Sequence, residues 1–182
     1  MSFTNRFDEH ELWPIAIDWD LAFSRPETQQ GYRYWQSLRQ GRAMPERREL
    51  DPRAMARFLS FVNLVEMAPA RAGAWNYTVT LQGSHSREVL GAAQGRSLAE
   101  IFPKPAFARW RSCFDLPRSG RMPVRLLTRA SIRGKHHLAC EALLAPLGRS
   151  PSVEALFWVF AAWRDGRSAA TPQAPVPQAR AG

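Results

Sequence analysis

The sequence predicts a mixed α+β fold with one antiparallel sheet of five strands. Two blocks of alternating apolar and polar residues, over 61–82 and 124–163, are typical of β-strands that pair as neighbours. A stretch with helical spacing separates the two blocks. Strands that follow one another, instead of alternating singly with helices, favour an antiparallel sheet. The length of 182 residues, with 45% hydrophobic and 23% charged residues, is typical of one domain with its own core.

Residues 1–28 are predicted to be an acidic extension, because six acidic residues lie there against only Arg6 and Arg25. Between positions 15 and 23 every second residue is a large apolar one, which predicts an extended segment with one apolar face. Because this face carries Trp19, it should pack against something. At the other end, residues 165–182 are mainly Ala, Pro, Gln, Arg and Gly, and they are predicted to be a disordered tail.

The first predicted helix covers residues 29–40. It places Tyr32, Trp35 and Leu38 on one face, and Gly41 follows as a natural end. That apolar face has to be buried either on the sheet or against a second copy of the chain. We expect it to form a homodimer surface.

The second predicted helix completes a helical segment over 29–60. Asp51 is a good N-cap residue, and Pro52 is favoured at the first helical position. The apolar positions of this helix are Met55, Phe58 and Leu59.

Five strands and a helical insert follow. The predicted strands cover 61–67, 75–82, 124–132, 136–147 and 153–163, and the predicted helices cover 84–90, 97–103 and 105–116. The last strand is apolar on both faces, as expected of a central strand. Ser97 and Glu100 have the spacing of a capping box, which indicates a helix start. The insert lies between the second and third strands.

Several short pieces of sequence, by their order and spacing, resemble a known family. They are Tyr34-Trp35, Leu38-Arg39, Gly41-Arg42, Met44-Pro45, Arg47, Asp51-Pro52, the apolar run 58–67, the strand 77–81, Gly83-Ser84, Gly91, Gly95-Arg96, Leu98 and Phe102-Pro103. Over residues 30–163 the sequence resembles a bacterial PAS-domain family that is frequent in alphaproteobacteria. It departs from the family pattern at Ser84 and Gln94, where the family usually has Thr. The extension 1–28 is not part of the pattern.

The resemblance implies a PAS-like fold and a sensory or adaptor role. In this fold the sheet order is 2-1-5-4-3, a helical insert joins strands 2 and 3, and the core spans 61–164. The resemblance supplies no catalytic residues, and we assign none.

A PAS-like sheet can hold a small molecule between itself and the insert, and seven apolar residues are predicted to line that space. They are Val89, Leu90, Phe102, Trp110, Phe114, Leu126 and Trp158. Large apolar side chains at such positions also fill ordinary cores. A ligand cavity and simple core packing are therefore both compatible with the sequence, since a true site also needs convergent polar groups.

A row of arginines is the most informative charged pattern. It comprises Arg109, Arg111, Arg118, Arg121, Arg125, Arg129 and Arg133, of which the last three share one face of a strand. We expect it to bind an acidic partner, a phosphate-bearing ligand or nucleic acid. Protection of an edge strand is the alternative explanation. The acidic residues Asp18 and Asp20 are candidate partners within the chain.

No residue pattern indicates catalysis or metal binding. Cys113 and Cys140 do not form a CxxC pair, and we expect both to be buried. We expect His85 to be a surface or capping residue. His136 and His137 would point to opposite faces of a strand, so they cannot share a metal. Haem and flavin are not expected, and the sequence does not identify another cofactor. Hydrolase, NTPase, dinucleotide-enzyme and zinc-protease motifs are absent, so we expect no enzyme.

The sequence as a whole favours a cytoplasmic regulatory module. Its start has no apolar signal core, and its longest apolar run, 155–163, is too short to span a bilayer. We expect a homodimeric sensor that binds a small ligand or partner protein and signals through protein–protein contacts. A ligand-free interaction adaptor and a nucleic-acid-binding regulator that uses the arginine row are the alternatives.

Overall fold

A computed structural model describes residues 13–130, 135 and 137–164. Its strands are β1 (Ala16–Asp18), β2 (Val62–Pro69), β3 (Trp75–Gln82), β4 (Val124–Arg129), β5 (Leu138–Leu147) and β6 (Ala155–Arg164). Its α-helices are α1 (Pro26–Arg39), α2 (Ser84–Leu90), α3 (Leu98–Ile101) and α4 (Lys104–Gly120). The tail 165–182, the first twelve residues, and Arg133 and Gly134 between the third and fourth predicted strands lie outside the described residues. So do Ile132 and His136.

The strands form one antiparallel sheet in the order β1-β4-β5-β6-β2-β3. The mixed α+β class is therefore confirmed, but the count of five strands and the full order are wrong. The extra strand is β1, which belongs to the acidic extension and pairs with β4. The five expected strands keep their expected neighbours once β1 is set aside.

The sheet is covered on both faces, so it forms the middle layer of the molecule. Along β6, Leu156, Trp158 and Phe160 point toward the insert helices α2–α4. The alternate residues Phe157 and Val159 point toward α1. This two-sided burial explains why β6 is apolar at nearly every position.

Helix α1 packs directly on β5 and β6. It begins at Pro26, earlier than expected, because a proline at the first helical position suits a helix start. Gly31 allows the close approach, since a Cβ there would lie 2.6 Å from Cγ2 of Val159. Trp35 is fully buried, and its indole Nε1 donates a hydrogen bond to the carbonyl oxygen of Pro146 at 2.9 Å. Its assignment to a dimer surface was therefore wrong, because the sheet covers it.

The second N-terminal helix, expected from Asp51 onward, is also a correction. Residues 52–58 form consecutive turns, followed by a short 3₁₀-helix at Leu59–Phe61. The carboxylate of Asp51 accepts a hydrogen bond from the amide of Arg53 at 2.9 Å, as an N-cap residue does. The Met55 amide bonds to the Asp51 carbonyl four residues back, but the later backbone bonds join residues three apart, as between Phe58 and Met55, so no α-helix continues.

The helical insert lies on the face of the sheet where the sequence places it. The capping box is confirmed: Ser97 and Glu100 exchange hydrogen bonds at the start of α3. Helix α4 packs against β4, β5 and β6 and continues to Gly120, beyond the predicted end at residue 116. Among the described residues, no helix is both long and apolar enough to cross a membrane.

Candidate functional site

The seven residues predicted to line a cavity converge in one core cluster between the sheet and the insert. Six of them are buried, and Trp110 is partly buried against the others. Their aromatic rings contact one another: Phe114 meets Trp158 edge-on at 5.4 Å between centroids, and Phe102 stacks on Trp110 at 5.5 Å. The rings therefore fill much of this space with each other.

One polar atom in this cluster has no partner. The indole Nε1 of Trp158 is buried and donates no hydrogen bond to any described residue. A buried donor without an acceptor costs about 1–3 kcal/mol. It is therefore the atom in this core that a polar ligand atom or an ordered water would satisfy.

The arginine row is interrupted at Arg125, which would have to be exposed in order to bind a partner as the sequence predicts. Arg125 is only 8% exposed. Its Nε and Nη2 lie 2.8 and 2.6 Å from Oε2 of Glu141, and its Nη1 lies 2.8 Å from Oδ2 of Asp18. The exposure expected of Arg125 was wrong because β1 covers this edge of β4. Asp18, in the acidic extension, is one of the residues that covers it.

The other arginines of the row lie in separate surroundings. Arg109 donates to the carbonyl oxygen of Trp13 at 3.2 Å, and the Arg129 guanidinium lies 5.5 Å from the centroid of a Trp13 ring. Arg111 and Arg118 pair with Asp115 within α4. Arg121 is exposed at the end of α4, and Arg133 lies outside the described residues. These side chains do not form one continuous row.

Glu141 is the functional candidate that sequence reasoning missed. Its side chain is fully buried and accepts hydrogen bonds from the amides of Ser24 and Arg25, at 2.9 and 3.0 Å. The hydroxyls of Ser24 and Thr28 also donate to it. Glu141 thus holds the two residues before α1 and the Thr28 hydroxyl in its first turn, and so ties the N-terminal segment to the centre of the sheet. The available signal was a lone acidic residue in an otherwise apolar strand.

These contacts set the charge state of both carboxyl groups. Burial alone would raise the pKa of Glu141, but hydrogen bonds from Thr28, Ser24 and Arg125 outweigh burial and lower it. The hydrogen bond from Arg125 is the main reason that the pKa of Asp18 is lowered. The three side chains form a charged network, which we call the Arg125 network: Asp18, Arg125 and Glu141.

A groove of about 450 Å³ opens next to the Arg125 network. We call it the Trp19 groove. Its lining residues are Trp19, Leu21, Tyr32, Trp35, Arg39, Ala43, Arg121, Met122 and Pro123. Trp19 is 50% exposed and Met122 is 54% exposed. Of the three large hydrophobic side chains exposed in the described part of the chain, two therefore line this groove; Ile17 on β1 is the third.

Four parts of the chain build the Trp19 groove: the segment after β1, helix α1, the loop after α1 with Ala43, and the α4–β4 connection. The carboxylate of Asp18 accepts hydrogen bonds from the amides of Asp20 and Ala22, at 2.9 and 3.2 Å, and so shapes the loop that carries Trp19. Of the residues predicted for a dimer surface, Tyr32 lines the groove and Leu38 is half-buried nearby on α1.

The contacts of the histidine and cysteine candidates are typical of residues with a structural role. Nε2 of His85 accepts a hydrogen bond from the amide of Ala162 at 3.1 Å, and burial lowers the pKa of His85. Burial raises the pKa of Cys113 to about 11 and that of Cys140 to about 12, so both thiols stay protonated at neutral pH. In the described residues no three His, Cys, Asp or Glu side chains are grouped to hold a metal ion.

Comparison with known families identifies the fold that the strand order and the insert suggest. The family model described as PAS domain matches residues 23–160. The chain belongs to the PAS domain family. No curated protein and no solved structure matches it significantly. PAS domains are in general sensory or interaction modules. The matched part of this PAS domain begins after β1, so Trp19 and Leu21 precede it.

Proposed function

We propose that this PAS domain is a regulatory module that acts through protein–protein contacts, and that the Trp19 groove is the contact surface. The observation that carries the proposal is the exposure of Trp19 and Met122 in one groove. Exposed aromatic side chains beside a pocket are typical of residues that dominate binding energy at interfaces. The proposed role matches the general use of PAS domains.

The Arg125 network supports a regulatory role for the same surface. Asp18 belongs to the network and immediately precedes Trp19 in the chain. Glu141 also holds Ser24, just beyond the groove-lining Leu21. A change in these buried contacts would therefore move one wall of the groove. This provides a physical path by which the state of the sheet alters partner binding.

Site-specific photocrosslinking tests the proposal in the cells that make the protein. A benzophenone amino acid replaces Trp19 or Met122 in the full chain, and Asn76, exposed on β3 at the far edge of the sheet, is the matched control. We expect both groove positions to yield the same crosslinked protein and Asn76 to yield none. Equal yields at all three positions, or none at Trp19 and Met122, would refute the groove as the contact surface.

Self-association remains a prediction with its own test. Because Trp35 is buried, the predicted dimer surface on α1 is reduced to the exposed parts of Tyr32 and Leu38. Sedimentation equilibrium of the wild-type chain and of Leu38→Glu measures this directly. A dimer that the substitution dissociates supports α1 as the dimer surface, whereas a monomeric wild type excludes it.

Ligand sensing is the second candidate function, and the unpartnered Nε1 of Trp158 favours it. A small polar molecule in the core would accept this hydrogen bond. Native mass spectrometry of the purified protein, together with its absorption spectrum, tests for a bound molecule. Trp158→Phe keeps an aromatic ring and removes the donor, so it should weaken retention. Absence of any bound mass favours the ligand-free adaptor.

Nucleic-acid binding through the arginines is a further prediction, and the burial of Arg125 weighs against it. A gel-shift titration at decreasing salt concentration tests it, because phosphate contacts strengthen as salt falls. No shift at low salt would exclude this function.

A further inference from the structure

We infer that the Trp19 groove binds an acidic peptide segment of a partner protein, with one large apolar side chain seated between the two groove arginines. This inference rests on the proposed function, in which the groove is the contact surface. It adds the chemistry of the partner, which neither the fold nor the family specifies.

The groove carries two arginines, and within residues 13–130, 135 and 137–164 no acidic side chain forms an ion pair with either of them. They are Arg39 and Arg121. Arginines close to them in sequence are paired: Arg42 with Glu49 at 2.7 Å, and Arg118 with Asp115 at 3.1 Å. Two of the arginines that have no ion pair in the described part of the chain therefore lie together in the groove.

Arg39 is already held in place for a ligand. Its Nε donates a hydrogen bond to the carbonyl oxygen of Arg42 at 2.8 Å, and its guanidinium lies 5.2 Å from the centroid of the Trp35 ring. These contacts use Nε and one face of the guanidinium, and they leave the Nη amino groups to donate to a carboxylate. Restricting the side chain beforehand lowers the entropic cost of binding.

The apolar lining determines the rest of the ligand. Trp19, Tyr32, Met122 and Pro123 provide the hydrophobic surface, and about 450 Å³ is space for one or two large side chains but not for a folded domain. A ligand that combines an apolar side chain with flanking carboxylates complements both features. This combination describes an acidic peptide segment with an aromatic or large aliphatic anchor.

The backbone around the groove is conformationally strained. The non-glycine residues with positive φ in the described chain are Leu21, Gln40 and Arg121, at 56°, 47° and 54°. Leu21 and Arg121 line the groove, and Gln40 directly follows Arg39. Gln40 and Arg121 are the C-cap residues of α1 and α4, where a left-handed conformation is common. Leu21 is the groove residue whose left-handed conformation no helix end explains, and such strain tends to occur at functional sites.

Fluorescence anisotropy on the full chain tests the inference with two labelled peptides. One has four glutamates beside a Phe-Leu pair, and the other has lysines in place of the glutamates. We expect the wild type to bind the acidic peptide, less tightly at high salt, and not the basic one. Arg39→Gln and Arg121→Gln should each weaken binding about threefold. Arg53→Gln, at an exposed arginine without an ion pair, should leave it unchanged.

Two variants of Met122 with opposite charges separate the effect of charge on binding from the effect of losing an apolar contact. Met122→Glu and Met122→Lys remove the same exposed thioether, so neither should disturb the core. Met122→Glu should bind the acidic peptide about tenfold more weakly than Met122→Lys. Equal affinity of the two variants would overturn the inference, as would equal binding of the acidic and basic peptides.

Two further outcomes separate this inference from the proposed function. If Trp19 crosslinks a partner while the acidic peptide binds no better than the basic one, the inference is wrong and the contact surface stands. If Trp19→Ala converts a dimeric wild type into a monomer in sedimentation, a second copy occupies the groove, and the inference is again wrong.

Discussion

The carboxylate of Glu141 on β5 and the guanidinium of Arg125 on β4 meet inside the protein, with Oε2 only 2.6 Å from Nη2. The same guanidinium reaches Asp18, which precedes Trp19. The buried centre of the sheet is therefore connected to the exposed groove through two ion pairs.

Replacing Glu141 by Gln should lower the free energy of unfolding by about 3 kcal/mol, because the buried Arg125 would lose its fully buried carboxylate partner and keep only Asp18. Chemical denaturation monitored by tryptophan fluorescence measures the change. Glu154→Gln, at an exposed glutamate without an ion pair, serves as the control and should change stability little. An equal effect of the two substitutions would contradict the role assigned to Glu141.

Stability should fall when the pH drops below about 4.5. The pKa values of Glu141 and Asp18 are lowered in the folded protein, so the unfolded chain binds protons more readily than the folded one. The stabilisation is present above the unfolded-state pKa values and is lost as the pH falls through the folded-state values. Unfolding free energies at pH 7 and pH 3 should differ less in Asp18→Asn than in the wild type, because the unfolded-state pKa of Asp18 is 3.8. An unchanged pH dependence in this variant would refute the contribution of Asp18.

Gly31→Ala should destabilise the protein by about 1–3 kcal/mol, since the new Cβ would lie 2.6 Å from Cγ2 of Val159 and force α1 away from β6. Gly120→Ala is the matched control, because a Cβ there meets no atom within 4 Å. Thermal unfolding of both variants, followed by circular dichroism, tests the prediction. Equal melting temperatures would mean that α1 does not pack closely on β6.

Arg121→Gly should raise the unfolding free energy by about 0.5–1 kcal/mol, because glycine adopts the left-handed conformation at a helix end without strain. The same substitution should weaken binding of the acidic peptide, since it removes a groove cation. Arg121→Ala keeps the strain and loses the charge, so it should weaken binding without stabilising the fold. If Arg121→Gly were no more stable than Arg121→Ala, the strain argument would fail.

The strands of the PAS core could be predicted from the sequence because burial of one face of a strand makes every second residue apolar. In β3, Tyr77 and Val79 alternate with polar residues, and in β6 both alternating sets are apolar. The capping box at Ser97 was predictable for a similar reason, since its two residues interact locally.

The predictions that failed depend on which element packs against a given face of a strand or helix. The periodicity of apolar residues shows that a face is buried but does not show what buries it. Alternation placed Arg125 and Leu126 on opposite faces correctly, but it could not show that β1 adds beside β4. Trp35 had to be covered by something, and only the tertiary structure shows that the sheet covers it. The helix expected after Asp51 does not form, because beyond Met55 the backbone hydrogen bonds join residues three apart, although Asp51 makes the capping bond to Arg53.

Fluorine NMR of the protein labelled with 5-fluorotryptophan tests the central claim most directly. The seven tryptophans are assigned by single Trp→Phe substitutions, and the acidic peptide or the crosslinked partner is added in purified form. Binding in the Trp19 groove predicts that the Trp19 resonance shifts and loses solvent exposure, while the resonance of Trp75 does not move. An unchanged Trp19 resonance, with the shift appearing at buried Trp158 alone, would contradict the account.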